Sequence, residues 1–69
     1  MVKELRYRDV AKFLRSIGWS IDRTRGSHEV WKSEDGTASV SIVAHGGKVS
    51  PGVVRDVIAK VPNTPTDWK

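Results

Sequence analysis

The stretch Thr37-Ala38-Ser39-Val40-Ser41-Ile42-Val43 decides the fold. In an extended chain, Ala38, Val40 and Ile42 fall on one side and Thr37, Ser39 and Ser41 on the other. One side is oily and the other carries hydroxyls, as in an antiparallel strand with one buried and one wet face. Before it, Ser33-Glu34-Asp35-Gly36 reads as a turn, with Asp-Gly the strongest hairpin signal in the chain. Residues 27–32 then form the preceding strand, and Gly26 separates it from another over residues 19–25. In that first strand Trp19, Ile21 and Arg23 alternate with Ser20, Asp22 and Thr24.

Helical spacing flanks this block. Val10, Phe13, Leu14 and Ile17 recur at i, i+3, i+4 and i+7, which predicts a helix over residues 7–17 with one apolar stripe. Asp9 suits the dipole of its first turn and Gly18 suits the C′ position, whereas no good cap precedes it. After the strands, Ala44-His45-Gly46-Gly47-Lys48-Val49 reads as a flexible, basic connection. A second helix starts at about Pro51, with Ser50 as N-cap and Val53, Val54, Val57, Ile58 and Val61 as its apolar face. Pro62 and Pro65 end it and leave residues 62–69 as a C-terminal tail, whose Trp68 either packs back or stays loose. The expected class is therefore α+β in the order α-β-β-β-α. Its three-stranded antiparallel sheet carries both helices on one face, the outline of a double-stranded-RNA-binding domain.

With 69 residues there is room for one domain, spanning residues 1–69. So short a chain buries only about 60% of its unfolded surface, and its core must be thin. There is no cysteine, so neither disulfides nor thiolate zinc sites reinforce it, and no metal or other cofactor is expected. The N-terminus is charged and no apolar run approaches the roughly 20 residues of a membrane span, so a soluble cytoplasmic protein is expected. The net charge of +4 and a pI near 9.9 favour a polyanionic partner, nucleic acid above all.

The chemistry concentrates in Arg25-Gly26-Ser27-His28-Glu29-Val30-Trp31. A histidine titrates near neutral pH, and the glycine bend allows close approach of a ligand. His28 is thus suited to act as a base on the 2′-hydroxyl of RNA, which then attacks the adjacent phosphorus. His45 is the candidate general acid, and Arg23, Arg25, Lys32, Lys48 and Arg55, with Gly26 and Ser27, are the candidate phosphate contacts. Two placements are open: Val30 faces the core and His28 lies at the rim, or Trp31 faces the core and His28 lies on the open face. Trp31 is also a candidate to stack on a base.

The pieces Phe13-Leu14, Gly18-Trp19, Gly26-Ser27-His28-Glu29-Val30-Trp31, Asp35-Gly36 and Lys48-Val49-Ser50-Pro51-Gly52, with Val54-Arg55 and Ile58, occur in an order and spacing that resemble the HicA-type toxins. The resemblance runs to about Val61. It implies an RNA-binding-domain-like fold, metal-independent cleavage of mRNA, His28 as the catalytic residue, and a HicB-type antitoxin that masks the site. Two positions depart from the family pattern. The run Val43-Ala44-His45 lacks the proline that often comes shortly before the loop histidine, and Val53 stands where threonine is common, so a hydroxyl is missing there. A non-catalytic RNA-binding module is the alternative, and a domain that meets only an acidic protein is a third.

Overall fold

Residues 2–69 are described by a computed structural model. In chain order the elements are β1 (Leu5–Arg6), α1 (Tyr7–Ser16), β2 (Ser20–Arg25), β3 (His28–Lys32), β4 (Ser39–His45), β5 (Lys48–Val49) and α2 (Pro51–Lys60), closed by a 3-10 turn (Thr66–Trp68). The class is α+β, as expected, with two helices and an antiparallel sheet.

The sheet has five strands in the order β1-β5-β4-β3-β2, not three. The added strands are two residues each, at one edge, with Leu5 opposite Val49, Arg6 opposite Lys48, and Ala44 and His45 opposite Val49 and Lys48. Gly46 and Gly47 create them. Both have positive φ, 60° and 77°, the signature of a type I′ hairpin turn, so the expected loose connection is a tight reversal. The Tyr7 N–H then donates to the Gly47 carbonyl at 2.9 Å, drawing the start of α1, and β1 with it, beside β5.

At the same end of the sheet, Gly26-Ser27 forms the matching two-residue turn between β2 and β3, with Arg25 opposite His28. Gly26 has φ 59° while Ser27 is not in the positive region, which fits a type II′ turn. The far end is looser. Asp35 accepts from the Ser33 hydroxyl at 2.7 Å and from the Thr37 hydroxyl and N–H at 2.8 and 3.1 Å. Thr37 is thereby committed to the loop, so β4 begins at Ser39 rather than Thr37.

Helix α1 ends in a Schellman motif: Gly18, at φ 89°, donates to the Arg15 carbonyl and Trp19 to that of Leu14. At the start of α2, Pro51 occupies the first turn and the Ser50 hydroxyl accepts from the Val53 N–H at 3.5 Å. The core is a single cluster. Val10, Ala11 and Leu14 of α1 and Val54 and Val57 of α2 meet Trp31, Val40, Ile42 and Val49 of the sheet, all at most 2% exposed. Each fully buried side chain of this size stabilises the fold by about 1.5–3 kcal/mol. Trp68 also packs back: it is buried against Phe13, edge-on, with ring centroids 5.2 Å apart.

Candidate functional site

Burial of Trp31 settles which way β3 faces. Trp31 is completely enclosed, so its neighbours His28, Val30 and Lys32 lie on the side turned away from the helices, and His28 is exposed. Trp31 is a core residue and has no free ring face for a base. The register carries the outward side across the sheet: His28 pairs with Val43, Val30 with Ser41 and Lys32 with Ser39.

The neighbouring strand joins through an irregularity. Ile21 is opposite Trp31, but Arg23 is opposite Val30, so Asp22 is an extra residue that bulges β2. The expected grouping of Ile21 with Arg23 is therefore corrected. The bulge shifts the alternation by one, leaving Ile21 on the core side and turning Arg23 and Arg25 to the side of His28. On the other flank His45 pairs with Lys48 and Lys48 with Arg6. Arg6, Arg23, Arg25, Lys32 and Lys48 thus share one sheet face with both histidines.

His45 lies two residues beyond Val43, the cross-strand partner of His28. The histidines are diagonal neighbours, for which backbone separations are about 7–8 Å. Each adjoins a glycine turn, His28 after Gly26-Ser27 and His45 before Gly46-Gly47. Backbone reversal at these glycines leaves open space where side chains would stand. Two of the cations have partners: Lys32 meets Asp22 at 3.1 Å and Lys48 meets Glu4 at 3.7 Å. All four side chains are well exposed, so these pairs are weak. Arg55 does not join the group, because it is exposed on α2, in the layer covering the opposite side of the sheet.

Arg6 was not legible as a site residue, since its strand is too short to show a period. A second cluster also escaped local pattern. On the inner side, Glu29 Oε1 accepts from the Tyr7 hydroxyl and, at 3.3 Å, from Trp31 Nε1. Burial, the hydrogen bond to Glu29 and the charge of Glu29 together push the Tyr7 phenol up to about 12, against a smaller opposing pull from Arg15. The guanidinium of Arg15 also lies over the Trp31 ring, 5.3 Å from its centroid. Among the described residues, no three His, Asp or Glu side chains converge as metal ligands would.

Comparison with known families adds the decisive observation: residues 7–61 match the family described as the HicA toxin of bacterial toxin-antitoxin systems. The chain belongs to the HicA toxin family. It is the toxin half of a bacterial pair, and an antitoxin is its counterpart. Neither the curated proteins nor the solved structures gave a match. The matched span of the toxin contains both glycine turns, both histidines and every outward cation except Arg6. Among the described residues, no helix is long and apolar enough to cross a membrane.

Proposed function

We propose that this toxin is an endoribonuclease that cleaves mRNA by metal-independent general acid–base catalysis. The observation that carries the proposal is the exposure of His28 on a cationic sheet face, diagonal to His45. In this reading, neutral His28 takes the proton of the 2′-hydroxyl, and the 2′-oxygen attacks the adjacent phosphorus. The 5′-oxygen leaves with a proton from His45 in its charged form. The products are a 2′,3′-cyclic phosphate and a 5′-hydroxyl.

Arg23, Arg25, Lys32 and Lys48 hold the strand and offset charge on the phosphoryl oxygens, while Gly26 and Ser27 let the backbone come close. Without its two-residue strands the order α1-β2-β3-β4-α2 follows the outline of a double-stranded-RNA-binding domain, which supports RNA as the ligand. The chain acts as one domain over residues 1–69, and its target places the reaction in the cytoplasm. A HicB-type antitoxin inhibits by covering the same face, where half-buried Val30 and Val43 between the cations offer an apolar footing.

The test is digestion of RNA in EDTA. The natural chain is expected to cut, and His28→Ala to lose about 10²- to 10⁴-fold in rate. End groups should be 5′-hydroxyls; 5′-phosphates would overturn the mechanism. Binding without cleavage by the natural chain would leave an RNA-binding module in place of an enzyme.

A further inference from the structure

The inner side of the Gly26-Ser27 turn holds a cleft of about 230 Å³, walled by Tyr7, Gly26, Ser27, Glu29 and Gly47. It lies across the sheet from His28. Its defining group is the Glu29 carboxylate. The Tyr7 and Trp31 donors occupy Oε1, while Oε2 receives no hydrogen bond among the described residues. Nor does Glu29 take part in either ion pair found among them. No fully buried side-chain polar atom among the described residues lacks a partner, so the unpartnered Oε2 is not fully buried. An acceptor held by two donors, one from an enclosed indole, is already oriented for a ligand that brings donors of its own.

We infer that this cleft reads a guanine base of the bound RNA strand. The inference rests on the RNA-cleaving reading of the His28 face. A carboxylate repels phosphate, so what enters the cleft is the uncharged part of a nucleotide. Guanine presents N1–H and N2–H₂ side by side, and both donors suit the two free lone pairs of Oε2. Adenine and cytosine place an acceptor nitrogen beside the amino group, and uracil flanks its N–H with carbonyl oxygens; both arrangements set a lone pair against the carboxylate. The Ser27 hydroxyl, without a partner among the described residues, stands at the same wall as a donor for the guanine O6.

Size and position agree. The volume is below the roughly 300 Å³ at which drug-sized sites begin, the scale of a single base. Gly26, which has nothing within 4 Å of where a side chain would start, leaves the rim bare. A strand passing over that rim places one base in the cleft and an adjacent phosphate beside His28, the second residue after Gly26. Cleavage is then expected next to guanine.

The test uses the natural chain and 2′-O-methyl hexanucleotides identical except for G, A, C or U at one position. These cannot be cut by attack of the 2′-oxygen. Affinity is read by fluorescence anisotropy and location by backbone amide shifts. The G oligonucleotide should bind about tenfold more tightly than the A one, with shifts at Gly26, Ser27, Glu29 and Gly47. Glu29→Gln, which keeps an acceptor for Tyr7, should bring the ratio close to one. If that variant misfolds, the shift map of the natural chain still decides. Equal affinity for all four bases, or shifts confined to the outer face, overturns the base-reading cleft and leaves the cleavage reading intact. No binding of any oligonucleotide defeats both. Shifts at the cleft from an arginine-rich peptide but not from RNA assign it to a protein partner and overturn the inference.

Discussion

His28 and Glu29 are consecutive, yet they stand on opposite sides of the sheet, one in water and the other tied into a hydrogen-bonded cluster. Outward, His28, Val30 and Lys32 meet water, and the polar contacts there are exposed ion pairs. Inward, Trp31 is fully enclosed and Glu29 holds two donors, one of them the hydroxyl of Tyr7. Free energy of folding is concentrated on the inner side, and the outer side is free to be chosen for charge and reactivity. In a sheet with one face covered, stability and chemistry become separable one residue at a time.

The sharpest way to break this comparison is a pair of truncations on one strand. Trp31→Ala should cost about 3–5 kcal/mol. At roughly 0.05–0.15 kcal/mol per residue the whole chain of 69 residues has about 3–10 kcal/mol to lose, so this one change removes a large share of it. Urea unfolding should find Trp31→Ala destabilised by about 3–5 kcal/mol, while His28→Ala unfolds within about 0.5 kcal/mol of the natural chain and yet fails to cleave. Similar losses of stability from both would mean that the faces are not distinct.

A smaller effect is expected at the inner polar cluster. Tyr7→Phe removes a donor from a half-enclosed carboxylate and should destabilise by about 1–2 kcal/mol. Tyr7 is the single tyrosine of the chain, so the phenolate absorbance reports it alone. Its titration should centre at about 12 rather than 10.0. Because the folded value is the higher one, this contribution to stability is whole below pH 10.0 and fades as the pH rises toward about 12. A midpoint at the ordinary value would show that the cluster is open to water.

The weakest effect belongs to neither face. In the β3–β4 connection, hydrogen bonds from the Ser33 hydroxyl and from Thr37 hold the Asp35 carboxyl down to about 2. This contribution is present above 3.8 and is lost as the pH falls toward about 2. The protection of the Thr37 amide against exchange, taken relative to its intrinsic rate, should fall over that window while the amides of β3 remain protected. Simultaneous loss in β3 would show that the loop and the core are coupled.

Much of this could be read from the residues. The helical stripes, Gly18 as C′ and Ser50-Pro51 as a helix start are local signals that the structure keeps. The alternation of Val40 and Ile42 also survives, because the partner layer is made of both helices. What failed had no period to show. Strands of two residues, β1 and β5, cannot alternate, and the bulge at Asp22 resets the phase midway through β2. Alternation put His28 and Trp31 on opposite sides but could not say which side was dry. The bulk of Trp31 inside the core decided that. The contact between Tyr7 and Glu29 joins residues 22 apart and leaves no trace in either neighbourhood.

The extra residue at Asp22 also shapes the open border of the sheet. β2 is the outermost strand, exposed along all six residues, and an open edge of that kind is a template on which a second chain can be laid. The irregularity at Asp22 breaks its straight line, and Asp22, Arg23 and Arg25 stud it with charge. Bent at one point and charged along its length, this border is a poor template for edge-to-edge pairing of two chains.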